Sequence, residues 1–254
     1  MLQVRRHSQV TFLHSEVLDR IPRIVHAFST RRGDRNDFTL GPPSSPNPIV
    51  QMNRARFVAS IGAPGWPIIK LNQVHSGTVC DIDDTSAAGE AVEGDAAITA
   101  LQGVILSIQT ADCVPILVAD SEARAVAAIH AGWRGTAAHI AETTVLRLME
   151  KCGVDGKSLA VAVGPHIGVC CCEVGDDVVE AIGDAAVFER RPEWPKPHLN
   201  LAEANRRQLV RAGVPEGQIE ISSLCTRCRE DLFFSYRREG KGAGRLLSVI
   251  GIAP

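Results

Sequence analysis

Three segments of the sequence place a potential metal ligand beside turn residues. The first contains His75 in Asn72-Gln73-Val74-His75-Ser76-Gly77, the second contains Cys113, and the third contains His130. Two imidazoles and one thiolate are a ligand set that zinc accepts, and three protein ligands leave a fourth position open for water or substrate. Spacings of 38 and 17 residues separate the three. The spacing therefore leaves open whether they share one site or are isolated structural residues.

The segment that follows His130 reads Ala131-Gly132-Trp133-Arg134-Gly135 and precedes a helical pattern. Glycine allows the backbone to approach a ligand closely, and a helix N-terminus directs free N–H groups at an anion. Arg134 adds a fixed charge and a two-pronged donor. The turn is therefore a candidate site for phosphate or carboxylate, and an ordinary strand-to-helix turn with a solvated arginine is the alternative.

A C-terminal segment combines aromatic and cationic side chains. Asp231-Leu232-Phe233-Phe234-Ser235-Tyr236-Arg237-Arg238 holds the only tyrosine, and Gly244-Arg245 follows it. Such residues can stack on a flat ring and pair with anions. The segment is read either as one wall of a binding pocket or as an aromatic strand with surface charges.

The chain has eight cysteines: Cys80, Cys113, Cys152, Cys170, Cys171, Cys172, Cys225 and Cys228. A protein of this size without a secretion signal is expected to keep its thiols reduced, buried or bound to metal. Cys225-Thr226-Arg227-Cys228 lacks the second cysteine pair that a structural zinc site requires. We expect a structural thiol pair there, and small buried side chains at the consecutive Cys170, Cys171 and Cys172.

Composition narrows the class of protein. The chain has 254 residues, a net charge of -2 and 45% hydrophobic residues, the balance of a globular protein. A nearly neutral charge argues against a dedicated nucleic-acid binder. No apolar run approaches the roughly 20 residues of a membrane span, and the first ten residues lack the apolar stretch of a signal peptide. We expect a cytoplasmic protein with no membrane partner and with one domain over residues 1–254.

Short apolar runs predict more strands than helices, and the two do not alternate regularly. The expected class is α+β, a compact domain of mixed β-sheet layers with flanking helices. The expected strands cover residues 68–74, 104–109, 114–119, 125–129, 159–163, 219–222 and 246–252. The expected helices cover residues 53–60, 136–152, 174–182 and 201–212, with Thr136 as N-cap and Gly153 at the end of the second.

Five stretches of the sequence together resemble the YfiH family, whose members have been called multicopper polyphenol oxidases, peptidoglycan editing factors and purine nucleoside phosphorylases. The resemblance runs from about Ile68 to the C-terminus, in the family's order. The stretches are NQVHSG, TADCVPILVAD, AIHAGWRGT, VGPHIGVCCCEVG and CTRCREDLFFSYRREGKGAGR.

The resemblance implies a metal site in a surface cleft, with His75, Cys113 and His130 as ligands and zinc, or alternatively copper, as the ion. It implies phosphorolysis of adenosine, inosine and methylthioadenosine, with some adenosine deamination, so that the partners are a nucleoside and phosphate. The candidate catalytic residues are His75, Cys113, His130 and Asp112, the last as a ligand-orienting or proton-transfer group. The candidate substrate-binding residues are Gln73, Arg134, Arg237 and Arg245.

The sequence departs from the family pattern in two places. The region Phe38–Met52 differs from the usual family stretch, and only Asn53-Arg54 is recognisable there. Cys172 stands where the family often has a tyrosine. The sequence leaves the preferred nucleoside, the oligomeric state and the native metal open.

Two other enzyme classes fit parts of the pattern. A His₂Cys set resembles a blue-copper site, but a multicopper oxidase also requires a histidine-rich trinuclear cluster, and the eight histidines include no His-x-His pair. A cysteine hydrolase that edits peptidoglycan precursors would use Cys113 as nucleophile and His75 or His130 as base. A non-catalytic binding module would tolerate loss of Cys113.

Overall fold

Two β-sheets lie face to face, and helices cover the outer face of each. The computed structural model describes residues 2–33, 37–42, 45–88 and 91–254. The strands in these ranges are β1 Gln3–His7, β2 Val10–His14, β3 Ile24–Ser29, β4 Ile68–Asn72, β5 Val79–Asp81, β6 Val92–Glu93, β7 Ala96–Thr99, β8 Ile105–Thr110, β9 Val114–Asp120, β10 Val126–Ala131, β11 Leu159–Val163, β12 Phe188–Glu189, β13 His198–Leu199, β14 Ile219–Ile221 and β15 Leu246–Ile252. The α-helices are α1 Glu16–Asp19, α2 Pro48–Ser60, α3 Trp133–Ala137, α4 Ile140–Cys152, α5 Asp176–Ile182, α6 Leu201–Arg211 and α7 Tyr236–Glu239.

The larger sheet has the strand order β1-β2-β3-β15-β8-β4-β6, and the smaller has the order β14-β11-β9-β10-β7-β5. Most neighbours are antiparallel, whereas β4 runs parallel to both β8 and β6 in the larger sheet, and β14 and β5 run parallel to their neighbours β11 and β7 in the smaller. The C-terminal strand β15 lies between β3 and β8. The larger sheet therefore forms completely only when this C-terminal strand has paired with the N-terminal strand β3.

Successive side chains of a strand point to opposite faces of its sheet. The residues of each central strand therefore contribute alternately to two different hydrophobic cores. Leu117 of β9 packs between the sheets in a core that includes Leu106 and Ile250. Its neighbour Val118 packs on the other side, in a core shared with the helices α4 and α6. On the far side of the larger sheet, Phe57 of α2 packs in a third core. These layers confirm the expected α+β class of mixed sheets with flanking helices.

The helix expected from Thr136 to Cys152 is divided into α3 and α4. Thr136 lies inside α3, where Gln208 of α6 donates to its carbonyl oxygen at 2.7 Å and Asn205 donates to its hydroxyl at 2.9 Å. The helical conformation is interrupted at His139, which has a φ of 58° and serves as the N-cap of α4. Thr136 as an N-cap was therefore wrong, because contacts from a distant helix occupy it, whereas Gly153 ends α4 as expected.

Sequence patterns also missed local structure outside the central strands. Helix α2 begins at Pro48, not at Asn53, with the Asn47 side chain accepting from the N–H of Ile49 at 2.9 Å. The N-terminal strands β1 to β3 and the short strands β5 to β7 were not predicted. The segment Asp231–Arg238 is not a strand: two buried phenylalanines are followed by α7. None of the helices in the described ranges is both long enough and apolar enough to cross a membrane.

Candidate metal centre and adjoining cavity

The candidate ligands His75, Cys113 and His130 meet where the two sheets adjoin. His75 follows β4 of the larger sheet, and His130 lies within β10 of the smaller sheet. Cys113 lies in the short link that leaves β8 in one sheet and enters β9 in the other. Their ligand atoms all lie within 4.8 Å of one another. The tertiary structure therefore brings together three residues that the sequence leaves far apart.

A buried carboxylate supports this group from behind. Asp95, fully buried before β7, accepts a hydrogen bond from His130 Nδ1 at 2.8 Å and from the backbone N–H of His75 at 3.0 Å. It also accepts from the N–H and the hydroxyl of Ser76, at 2.6 and 2.8 Å. One carboxylate thus positions two of the three ligands, and it leaves Nε2 of His130 as the nitrogen available to a metal.

Asp95 is a site residue that no motif in the sequence indicates. Its only local signal is an acidic residue directly before the apolar strand Ala96–Thr99, after Gly94. Buried carboxylates are rare unless they are paired, so an aspartate at that edge indicates a partner but does not identify it.

The charges of the group are coupled. Burial disfavours the ionised forms, but attraction to the His130 imidazolium and hydrogen bonds from His130 and His75 lower the pKa of Cys113 to about 6. Against the same burial, the Cys113 thiolate and Asp95 raise the pKa of His130 to about 9. Asp95 has its own pKa lowered to about 2, because the hydrogen bonds from His130 and Ser76 outweigh burial. Both pKa shifts run in the direction that favours a thiolate at Cys113 and an imidazolium at His130.

Backbone geometry at the site is unusual in two places. His75 and Asp112 adopt positive φ values of 61° and 100°, a region that residues other than glycine seldom occupy. Gly132 lies against the ligands: a Cβ there would be 3.0 Å from the His75 ring and 3.1 Å from Cys113 Sγ. Only a residue without a side chain leaves the ligand atoms their present space.

The donor set fits a zinc ion on its chemistry. Nε2 of His75 lies 3.9 Å from Cys113 Sγ, and the two histidine rings meet edge to face at 82°. Two imidazoles and a thiolate are borderline-soft donors of the kind that zinc and copper accept. Three donors leave one position open toward the cavity.

A cavity of about 680 Å³ opens in front of the three ligands. That volume lies in the range of small-molecule sites. Apolar and aromatic side chains form one part of its wall, and amide and guanidinium groups form another. Besides the ligands, its lining residues are Pro42, Asn72, Gln73, Gln109, Thr110, Ala111, Asp112, Trp133, Ile167, Cys172, Val174, Leu201, Tyr236, Arg237 and Arg245.

Asp112 and Gln73 line the cavity, but protein groups already occupy their polar atoms. Asp112 accepts from the Thr226 hydroxyl and from the backbone N–H of Arg237, both at 2.6 Å. Gln73 donates to the carbonyl of Gln109 at 2.8 Å and accepts from its N–H at 2.7 Å. Both side chains thus fix the walls of the cavity.

The predicted cationic residues fall into two groups. Arg237 and Arg245 line the cavity, and in the described part of the chain each guanidinium donates only to backbone carbonyls, with no carboxylate within ion-pair distance of it. Arg134 lies outside the lining and is exposed, with its guanidinium 4.2 Å from the centre of the Trp133 ring. The structure therefore brings Arg237 and Arg245, but not Arg134, to the cavity.

The divergent Phe38–Met52 region also reaches the site. Arg54, buried in α2, donates to the carbonyl of Leu40 at 2.7 Å and also to that of Pro42. Gln109 donates to the same Leu40 carbonyl at 3.2 Å. Arg54, which matches the family pattern, thus holds this divergent region against the cavity, and Pro42 contributes to the cavity lining. Pro43 and Ser44 lie outside the described residues.

The cysteine pair Cys225 and Cys228 is not isolated. Cys170 and Cys171 lie beside it, and the four sulfur atoms are all within 4.8 Å of one another. The expectation of a lone thiol pair was wrong, because the second pair lies more than fifty residues earlier in the chain. Cys172, next in sequence, turns away from this group and lines the cavity.

Comparison with known proteins places these features in a family. The family profile described as "Multi-copper polyphenol oxidoreductase laccase" matches residues 26–253. A protein named adenosine deaminase RL5, from an unknown prokaryotic organism, is 45% identical over 89% of this chain and 93% of its own length. A purine nucleoside phosphorylase of Bacteroides thetaiotaomicron is 45% identical over 62% of this chain, which spans 60% of that protein.

A solved structure agrees with the fold over nearly the full chain. The crystal structure of the Bacillus licheniformis hypothetical protein YfiH superposes with a TM-score of 0.86 at 29% identity, covering 98% of each chain. The arrangement of sheets and helices is therefore shared across this group.

Proposed function

Because the chain belongs to the YfiH family, we propose that it is a zinc-dependent purine nucleoside phosphorylase that also deaminates adenosine. The names of its relatives support an enzyme of this general type. The observation that carries the proposal is the His75, Cys113 and His130 set, which leaves one position open toward a cavity with two arginines that lack acidic partners among the described residues. We propose adenosine, inosine and methylthioadenosine as substrates.

The cavity wall suits the parts of a nucleoside. Trp133 and Tyr236 line the cavity and supply aromatic rings on which a purine can stack. Arg237 and Arg245 present guanidinium groups that suit a phosphate. In phosphorolysis, a phosphate oxygen bonds to C1′ of the ribose as the C1′–N9 bond breaks, and N9 of the base takes up a proton. Holding the phosphate and C1′ in contact supplies much of the rate.

The three metal ligands are proposed to have a different role from that of the cavity arginines. His75, Cys113 and His130 would hold the zinc, and Asp95 would keep His130 oriented with Nδ1 protonated. When bound, zinc supplies a Lewis acid and a water of lowered pKa, which suits the hydrolytic release of ammonia from adenosine. The residues proposed to hold the catalytic zinc are His75, Cys113 and His130, and Asp112 is proposed as a positioning residue that holds the backbone of Arg237.

Copper oxidase chemistry has less support. In the ranges that the structure describes, no histidine-rich cluster adjoins the His75 site: the one other group with two histidines is His14, Asp19 and His26 near the N-terminus. A trinuclear copper cluster requires many more imidazoles than that group offers. We therefore assign copper, if it binds, to occupancy of the zinc site.

The decisive test separates the two reactions. Zinc-loaded protein is incubated with adenosine, inosine or methylthioadenosine, with and without phosphate, and the products are separated by chromatography. We expect free base and ribose 1-phosphate only when phosphate is present. In the absence of phosphate, we expect adenosine to yield inosine. No turnover of any nucleoside in either condition would reject the proposed function.

A cysteine hydrolase is the second candidate, because the lowered pKa of Cys113 beside His130 also suits a nucleophile and its base. Zinc content separates the two. A zinc-bound thiolate is a poor nucleophile, so a hydrolase should work without metal, whereas the nucleoside enzyme should lose activity on zinc removal and recover it on zinc addition.

Arg245 tests the proposed anion site. It is half-buried in the cavity wall, so Arg245→Met removes a charge while keeping most of the side-chain length. We expect the KM for phosphate to rise about tenfold, which corresponds to about 1.4 kcal/mol of binding. Adenosine deamination, which takes no phosphate, should stay near the wild-type rate.

The control is Arg147→Met on the surface of α4, where the guanidinium pairs with Asp81 at 2.7 Å. Its phosphate KM should not change. Arg134→Met adds a direct comparison between the two candidate arginines. A rise in phosphate KM with Arg134→Met and none with Arg245→Met would move the anion site to the Gly132–Gly135 turn.

A further inference from the structure

We propose that Cys170, Cys171, Cys225 and Cys228 form a second metal site, which binds one zinc ion through four thiolates and has a structural role. The inference is independent of the proposed enzymatic function. It rests on the positions of the sulfur atoms, on the hydrogen bonds that they accept, and on the loops that the site would join.

The sulfur atoms already stand at distances suited to one ion. Cys170 Sγ and Cys171 Sγ lie 3.7 and 3.4 Å from Cys228 Sγ, and all four sulfurs lie within 4.8 Å of one another. A tetrahedral zinc site with Zn–S bonds of about 2.3 Å places its sulfurs about 3.8 Å apart. The separations of the sulfur atoms are therefore close to those that one tetrahedral zinc ion requires.

Consecutive cysteines can share one ion here because they lie in a tight turn. The N–H groups of Cys171 and Cys172 both donate to the carbonyl of Gly168, at 2.9 and 3.1 Å. A Cβ on Gly168 would lie 3.3 Å from both Cys170 Sγ and Cys225 Cβ. The turn and this glycine bring two adjacent thiols to the same side.

Hydrogen-bond donors point at the sulfurs, as expected where thiolates are stabilised. The Gly168 N–H donates to Cys225 Sγ at 3.2 Å, and the Arg227 guanidinium donates to Cys171 Sγ at 3.5 Å. Arg227 also offsets part of the negative charge that four thiolates leave on a divalent ion. Outer-shell partners of this kind orient ligands and tune a metal site.

The chemistry favours a structural site and a soft-ligand ion. Four thiolates complete the coordination of zinc and leave no open position, which is the pattern of closed structural sites. Each pair comes from a different loop, with Cys170 and Cys171 after β11 and Cys225 and Cys228 after β14. A bound ion would therefore link two loops that only a few backbone hydrogen bonds now join.

Those loops also hold the wall of the cavity. Arg237 donates to the carbonyl of Glu173 at 3.0 Å, and Arg238 donates to that of Thr226 at 2.9 Å. The Thr226 hydroxyl in turn donates to Asp112. Zinc in the four-cysteine site would thus hold the position of Arg237 without touching the substrate.

Metal counting tests the site directly. Protein purified under reducing conditions with zinc should contain two zinc ions per chain by elemental analysis. Cys225→Ser/Cys228→Ser should retain one, Cys113→Ala should retain one, and the three changes combined should retain none. A single zinc in the wild type, lost completely in Cys113→Ala, would overturn the proposal.

Thiol protection in the wild type keeps the test independent of how the variants fold. Cys170 and Cys228 are exposed, so N-ethylmaleimide should label both in zinc-free protein and neither in zinc-loaded protein, as located by mass spectrometry. Equal labelling in both states would contradict the site. A disulfide among the four cysteines in freshly reduced, zinc-loaded protein, or stoichiometric iron with visible absorption, would also overturn the assignment.

Discussion

Replacing Cys113 with alanine is expected to abolish both phosphorolysis and deamination, with kcat/KM for adenosine falling at least ~10³-fold. Cys113 supplies the only thiolate of the proposed catalytic zinc site, and its sulfur lies 3.9 Å from His75 Nε2. Two histidines alone hold zinc poorly, so the Lewis acid is lost along with the ligand. A loss of ~10³-fold corresponds to about 4 kcal/mol of transition-state stabilisation, a magnitude typical of metal-ion catalysis.

The matched control is Cys152→Ala at the end of α4. Cys152 is half-buried and packs at the edge of the helix-covered core, away from the cavity lining. Its loss should leave kcat/KM and the zinc content of the His75 site unchanged. Wild-type turnover by Cys113→Ala would reject the metal assignment and favour a binding site that needs no thiolate.

Zinc removal from the wild type, followed by alkylation of Cys113, distinguishes a ligand from a nucleophile. If the thiolate is a ligand, chelation should inactivate the wild type reversibly and leave Cys113 open to iodoacetamide. If Cys113 is a nucleophile, the chelated enzyme should remain active until it is alkylated. The lowered pKa of Cys113 in the absence of metal means that its alkylation should be fast at neutral pH.

Replacing Asp95 with alanine is expected to weaken zinc binding about 10–100-fold and to lower the free energy of unfolding by about 3 kcal/mol. Asp95 accepts hydrogen bonds from His130 Nδ1 and from the backbone of His75 and Ser76. Alanine leaves the buried His130 donor and the partly buried backbone donors of His75 and Ser76 without their partner, and it frees the His130 ring to rotate. Stability is measured by denaturant unfolding, and zinc affinity by competition with a chelator of known strength.

Asp83→Ala is the control for Asp95. Asp83 is exposed and pairs with Lys151 at 2.9 Å, and surface pairs contribute about 0–1 kcal/mol. Its stability and zinc affinity should remain near those of the wild type. If Asp95→Ala loses stability but binds zinc normally, Asp95 would be a structural anchor for the loop after β4 and would not support the metal.

The local pattern of apolar residues was sufficient to predict the central strands. The bounds of β11 and β15 agree with the predicted ranges, and β9 extends one residue beyond its prediction. Both faces of these strands are buried between layers, so nearly all of their residues are apolar, with Ser248 of β15 and Asp120 at the end of β9 as the polar exceptions. The exposed β1 has no such run, because all five of its residues face solvent, and the pattern missed it.

Of the two boundaries of helix α4, one follows from the local sequence and the other does not. Gly153 ends α4 through its own left-handed backbone, a local property that the sequence displays. The break at His139 follows a residue that α6 contacts, since Gln208 and Asn205 donate to the carbonyl oxygen and the hydroxyl of Thr136. No pattern near Thr136 could have revealed contacts with residues about seventy positions away.

By itself, the sequence determined the α+β class and proposed His75, Cys113 and His130, because apolar periodicity and residue type are local properties. Only the tertiary structure decided that these three converge, that Asp95 supports them and that four cysteines form a second cluster. The physical reason is that each group is assembled from strand ends or loops in different layers. Their proximity arises from long-range pairing, such as that of β15 with β3 and β8, and not from spacing along the chain.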